Sequence, residues 1–363
     1  MWSEEQKCLL WLSSAEVSAD RVHSLLEKYG SAQEIWEAFG TAGRPIFSPR
    51  TSEILGKWHS RDALEDLIDR LQRQRVHVLF QKDALYPELL NAIDDPPYLL
   101  YYMGDLKGLV RPMVAVVGTR IPSRYGKEMA FSIAQGLADV GVGVVSGLAR
   151  GIDSSAHEGA LKAQGVTIAV LGSGLNVCYP PEKGPLLRAI VEGGGLALSE
   201  YPLDAEPVNY HFPHRNRVIA GLSHGLVFVE GKVQSGGMTT VFLALKQGRE
   251  VFAVPGQVGT SGSEGPHAIL REGARLVTCA GDILEDLSIT LAPSQSRPGA
   301  MSSESPTEEA ILSALGREAM GLDALCKTVG VSEDEMIAQL SVMEITGQVV
   351  REAGNVFRLS LLR

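Results

Sequence analysis

The chain has 363 residues, 45% of them hydrophobic and 21% charged, and a formal net charge of −10. This composition describes a soluble globular protein with apolar mass for two or three domains, and it excludes a general coat of basic residues for gripping polyanions. The charge is −5 over residues 1–110 and −4 over 289–363 but only −1 over 111–288, which leaves room for a local basic site in the middle.

No apolar run reaches the ~18 residues that a membrane helix needs. The first twelve residues carry two acids and no basic start, so they do not read as a signal peptide. Cys8, Cys178, Cys279 and Cys326 lie far apart without a CxxC pair. They read as reduced thiols of a cytoplasmic protein, with neither a disulfide frame nor a metal site.

From Ser18 to Ala38 apolar residues recur at helical spacing (Val22, Leu25, Leu26, Ile35, Trp36), broken at Tyr29-Gly30-Ser31. The pattern predicts two short helices around a glycine turn. Such a helix-hairpin-helix unit either grips a DNA backbone or serves as a packing module. Arg61 to Arg75 predicts a charged amphipathic helix, closing a helical domain over residues 1–76.

The next segment, 77–288, alternates strand and helix patterns. Strands are expected at Met113–Val117, Val142–Ser146, Thr167–Leu171, Gly195–Ser199, Leu226–Glu230 and Glu250–Val254. Each is a continuous apolar run followed by a glycine turn and a helix-compatible stretch, the signature of a parallel sheet covered on both faces. The fold class is therefore α/β, a Rossmann-like doubly wound sheet. Residues 289–306 are rich in Ser and Pro and predict a linker. Residues 307–363 then give three helical pieces (Glu308–Leu315, Gly321–Val329, Glu333–Thr346) and a hairpin turning at Ala353-Gly354. That is the order of a winged helix. Its expected recognition helix carries Glu333, Asp334, Glu335 and Glu344 but no Lys or Arg, the wrong sign for reading DNA.

Ligands of parallel sheets bind at the carboxyl ends of strands, where glycine turns expose backbone amides and helix N-termini favour anions. Four such turns occur here. "VVGTR" supplies Gly118, Thr119 and Arg120, and "SGLARGID" supplies Gly147 and Arg150. "LGSGL" follows the third strand, and "EGKVQSGGMTT" carries Ser235, Gly236 and Gly237 at a helix start. Together they suggest a phosphate-binding surface, although any single turn can be explained by chain reversal alone. The dinucleotide motif GxGxxG is missing after the first strand, and neither GxxxxGK[ST] nor GxSxG occurs. Asp153 and His157 share a helical face. Asp153 reads as the cap of a helix beginning at Ser154 and His157 as a packed residue, with an acid–base pair as the other possibility.

"FPHRNRV" places Phe212, Arg215, Asn216 and Arg217 at another helix start, close to the binding edge of the sheet. Arginine there can fork onto phosphate while the aromatic ring stacks on an unpaired base, a combination that holds single-stranded nucleic acid without reading its sequence. One of the two arginines, Arg217 by its spacing two residues on, is expected to pair with Glu200 or Glu230 instead. The flanking domains, both net acidic, read as dispensable for such binding.

In their order, "VVGTR", "SGLARGID…H", "LGSGL…YP", "SEYP", "FPHRNRVIAGLS", "SGGMTT" and "GREVFAVPG" resemble the DNA-processing protein A family (DprA, or Smf) over residues 77–278. "YPELLNAIDDPPYLLYYMGD" is similar to that family's lead-in to the Rossmann domain. The resemblance implies a non-enzymatic, cytoplasmic, homodimeric protein without cofactor. Such a protein binds single-stranded DNA, protects incoming strands in natural transformation and loads RecA recombinase onto them. It also implies DNA-binding roles for Gly118, Thr119, Arg120, Arg150, Asn209, Phe212, Arg215, Asn216, Arg217, Ser235, Gly236 and Gly237. Three departures stand out: Asn209 near where some relatives place lysine, "SGGM" for "SGSL", and "GSEGPH" with Glu264 for a "GTN" pattern. The competing class is an enzyme of the lysine-decarboxylase-like group, which cleaves the base–ribose bond of nucleotides. Its PGGxGTxxE signature is not matched, because no glutamate follows on the helix after "SGGMTT".

Overall fold

The computed structural model describes residues 2–41, 46–289, 306–316, 319–345, 348–352 and 354–359. The chain divides into two compact units, residues 1–289 and 290–363. The linker expected at 289–306 lies, apart from its two end residues, outside the described residues.

The first unit opens with helices α1 (Glu4–Ser13), α2 (Ala19–Tyr29), α3 (Ala32–Thr41), α4 (Pro49–Trp58) and α5 (Arg61–Arg73). Ser3, Ser48 and Ser60 cap α1, α4 and α5, each accepting from the backbone amide of the third helical residue. The expected glycine turn separates α2 from α3, with Gly30 at φ +94°.

The chain then alternates: β1 (His77–Phe80), α6 (Glu88–Asn91), β2 (Leu99–Gly104), β3 (Met113–Val117), α7 (Arg124–Asp139), β4 (Gly143–Ser146), α8 (Ile152–Lys162), β5 (Thr167–Leu171), α9 (Gly184–Glu192) and β6 (Leu196–Ser199). It continues with α10 (His211–Gly221), β7 (Gly225–Phe228), α11 (Gly236–Lys246), β8 (Glu250–Ala253), α12 (Glu264–Arg271), β9 (Arg275–Leu276) and α13 (Ala280–Asp286). All six expected strands form, with ends within two residues of the sequence reading. The sheet order is β1-β2-β6-β5-β4-β3-β7-β8-β9. From β6 to β9 neighbours run parallel, whereas β1, β2 and β6 pair antiparallel. The two antiparallel strands are an extension the sequence reading did not separate from the lead-in, although Tyr98 to Met103 is a continuous apolar run.

Side chains alternate between faces with period two. Ile168, Val170, Leu196 and Leu198 point into a core with α10 and α11, while Ala169, Leu171 and Ala197 face the other way. That second face shares one apolar cluster with Leu10, Trp11, Leu12, Leu64 and Leu71 of the N-terminal helices. The Ser13 hydroxyl and Tyr101 phenol, 2.5 Å apart, tie α1 to β2 within this layer. The helical layer is therefore packed on the sheet, not hung beside it.

The second unit contains α14 (Pro306–Leu315), β10 (Met320–Gly321), α15 (Leu322–Val329), α16 (Glu333–Ile345), β11 (Val349–Glu352) and β12 (Val356–Leu359). Its three strands pair in the order β10-β12-β11 around Ile311, Leu325, Met336, Leu340 and Phe357. This is the expected winged helix. On α16 Ile337 and Val342 are exposed along with the acids Glu333, Asp334 and Glu335.

Candidate nucleic-acid interface

The strand order reverses between β3 and β7, so a crevice opens at their carboxyl ends. Two turns form its walls. The Thr119 amide donates to the Glu230 carbonyl at 2.7 Å, joining the turn after β3 to the turn after β7. A Cβ on Gly118 would lie 2.7 Å from that same carbonyl, and one on Gly237 would lie 2.7 Å from the Phe228 ring. Both glycines are required by this close approach. A Cβ on Gly236 would meet nothing within 4 Å. The amide end of α11, capped by Ser235, therefore faces open space.

Glu230 is buried, and its carboxylate accepts from the Ser123 amide at 2.8 Å and the Ser123 hydroxyl at 2.5 Å. It thus lies at the N-terminus of α7. In dinucleotide-binding sheets that helix end receives pyrophosphate. Here the protein's own carboxylate fills it, whereas the N-terminus of α11, capped by Ser235, has open space beside Gly236.

Gly118, Thr119, Arg120, Asn209, Phe212, Arg215, Asn216, Ser235, Gly236 and Gly237 all line one cleft of about 520 Å³. Arg150 does not line that cleft but a smaller neighbouring pocket that shares Arg120, Tyr179, Phe212 and Arg215 with it. The sequence thus brought together turns up to 119 positions apart. Arg120 is exposed, and its guanidinium carbon lies 5.8 Å from the centroid of the Phe212 ring, a cation–π contact. Among the described residues no carboxylate pairs with it. Phe212 is half-buried and lies within the first turn of α10, one residue inside the helix. Tyr179, which the sequence reading left without a role, tilts against Phe212 with ring centroids 5.4 Å apart. Its signal was available: an aromatic residue before proline, in the loop beyond the carboxyl end of β5.

The two arginines of α10 are both buried. Arg217 donates to Asp95 at 3.0 Å and to Glu200 at 2.6 Å and does not line the cleft. The expected turn toward Glu200 is therefore observed, with Asp95 in place of Glu230. His214 adds a third contact, 3.4 Å from each of the two carboxylates. Burial raises the Asp95 carboxyl, but the His214 hydrogen bond and the Arg217 charge outweigh it and hold the group at about 2.

Arg215 departs from the expectation that only one arginine would be structural. Its guanidinium donates to the carbonyls of Gly147 and Val170 and to the Asn216 side chain, so it forms the cleft floor and not an exposed fork. Burial depresses its pKa to about 10, with Asp153 opposing and Arg120 adding to the shift. The physical reason is register: position 215 falls on the helix face turned to β4 and β5, whose terminal carbonyls need donors.

Arg150 is exposed but paired with Glu182, so its charge is offset. Asp153 does not cap α8, which starts at Ile152 behind Gly151. Its carboxylate accepts instead from the amides of Gly147 and Ala149, at 3.1 and 3.3 Å. His157 is buried with Nδ1 2.6 Å from the Thr167 hydroxyl, and burial pushes its pKa down to about 3. It packs and does not face the cleft. Glu264 begins α12 and does not line the cleft. The four cysteines are unpaired, and among the described residues no cluster suits a metal and no helix is long and apolar enough to cross a membrane.

Comparison with known proteins finds relatives of both parts of the chain. Residues 77–288 match the family described as DNA recombination-mediator protein A, and residues 295–355 match the DprA winged helix domain. Protein Smf of Escherichia coli K12 is 40% identical over 306 residues, covering 82% of each chain. DNA processing protein DprA of Streptococcus pneumoniae R6 is 45% identical over 204 residues, 56% of this chain and 72% of the relative. The crystal structure of DprA from Streptococcus pneumoniae superposes with a TM-score of 0.68 at 34% identity, covering 80% of this chain and 99% of that one. A structure of DNA processing protein A from Helicobacter pylori, described for its single-stranded DNA binding mode, gives 0.54 at 31% identity, covering 59% and 96%.

Proposed function

The chain belongs to the DNA recombination-mediator protein A family, and from that membership and its cleft we propose that it binds single-stranded DNA without acting as an enzyme. In this reading it shields strands entering the cell during natural transformation, works as a homodimer in the cytoplasm and passes the strand to RecA recombinase. The single-stranded DNA binding mode of the Helicobacter pylori relative supports the choice of ligand.

One observation carries the reading. Arg120 is exposed, has no carboxylate partner among the described residues, and sits against an aromatic ring at the mouth of a cleft with an open helix N-terminus. A cation and helix amides attract a phosphate, and the ring offers a face to any base; neither reads sequence. The roles divide accordingly. Arg120 and the amides of Gly118, Thr119, Gly236 and Gly237, with the Ser235 cap, meet the backbone. Phe212 stacks, Asn209 and Asn216 offer amide hydrogen bonds, and Arg215 holds the floor. The sheet domain, 77–288, carries the strand. No acid occurs on α11, so the nucleotide-cleaving alternative lacks its catalytic glutamate.

The test is a binding titration of the full chain with matched single- and double-stranded oligonucleotides, beside an incubation with nucleoside monophosphates. Preference for the single strand and no free base is the expected result. Equal affinity for duplex would remove the stacking argument, and base release would favour the enzyme.

A further inference from the structure

We infer that Tyr179 is a second stacking residue of the cleft, receiving the unpaired base next to the one on Phe212; the inference rests on the single-strand reading above. Tyr179 is 42% exposed although it touches Phe212, so its ring is not spent on packing. The two rings tilt by 42° with centroids 5.4 Å apart. Rings in contact at that angle cannot take one base between them. Tyr179 therefore offers a face of its own beside Phe212, over whose ring Arg120 lies.

Tyr179 itself offers a ring face and no cation, which suits a base and not a phosphate. Arg150, which lines a small pocket together with Tyr179, is held by Glu182, so its charge is already paired. Arg120 lines the same small pocket, lies over Phe212 and has no carboxylate partner among the described residues. The strand is therefore held by phosphate at Arg120 and by bases along Phe212 and Tyr179. Stacking is tolerant of base identity because every base has a π-face.

The experiment measures anisotropy of labelled oligothymidylate and of an abasic oligomer of the same length, with the full chain and with Tyr179→Leu, Tyr179→Ala and Tyr179→Phe. Leucine keeps apolar contact with Phe212 but has no ring, and thermal melting verifies that each variant is folded. Stacking of one base predicts an affinity loss of about fivefold to a hundredfold on oligothymidylate for Leu and Ala, restored by Phe. It predicts no loss on the abasic oligomer and an unchanged salt dependence. Full affinity of Tyr179→Leu for oligothymidylate, or an equal loss on both oligomers, overturns the inference alone. If the unaltered chain binds neither oligomer, the single-strand reading falls and this inference with it.

Discussion

Replacing Arg120 by alanine separates a binding cation from a structural one. Each phosphate neutralised on a single strand contributes about 0.7 to the slope of log affinity against log salt. Between roughly 50 and 200 mM salt, about 0.6 log unit, one lost contact therefore changes the affinity drop by about 2.5-fold. Arg120 is exposed and touches only the Phe212 ring among aromatic partners, so its removal should leave melting nearly unchanged. Arg217→Met is the counterpart. It leaves Asp95 and Glu200 without their guanidinium, and breaking such a buried pair costs about 3–5 kcal/mol. Below its lowered melting temperature that variant should keep the full salt slope. Fluorescence anisotropy at four salt concentrations and a thermal melt give both readings. The reasoning fails if Arg120→Ala keeps the slope while Arg217→Met flattens it.

Two further outcomes follow from the packing. His157 is kept neutral by burial, down to about 3 from an ordinary 6.5, so the unfolded chain takes up a proton that the fold refuses. Its contribution is complete above pH 6.5 and is lost as pH falls, by up to about 1.4 kcal/mol per unit. Asp153, raised by burial, pushes the opposite way, so melting temperatures at pH 7.5 and 5 should be compared between the chain and His157→Gln; an identical pH dependence in both refutes the assignment. Deleting residues 1–76 should yield an aggregating chain, because Trp11 and Leu64 share one core with Leu171 and Ala197 of the sheet, whereas ending the chain at 289 should leave single-strand affinity largely intact. A soluble, binding-competent 77–288 fragment would show that the sheet face tolerates exposure, and a loss of binding on ending at 289 would place part of the site in the second unit.

What was legible in the sequence was whatever local pattern dictates. Continuous apolar runs fixed β3 to β8 to within two residues, and glycine turns marked the crevice between β3 and β7. Glu200, 17 positions from Arg217, was legible as its partner, but the other groups that decide whether an arginine is free come from farther away. Asp95 lies 122 positions from Arg217, and the carbonyls that hold Arg215 belong to the ends of β4 and β5, 68 and 45 positions off. An "RNR" triplet reads as exposed charge until the helix is placed on its sheet. The acidic net charge of the chain is therefore not offset by a broad basic patch in the cleft. Arg215, Arg217 and Arg150 are each matched inside the protein by carbonyls or carboxylates, leaving the field of the cleft to Arg120 and the open end of α11. Under the proposed function, a strand met by so few free charges would depend on the rings of Phe212 and Tyr179, and base stacking would outweigh counterion release in its affinity.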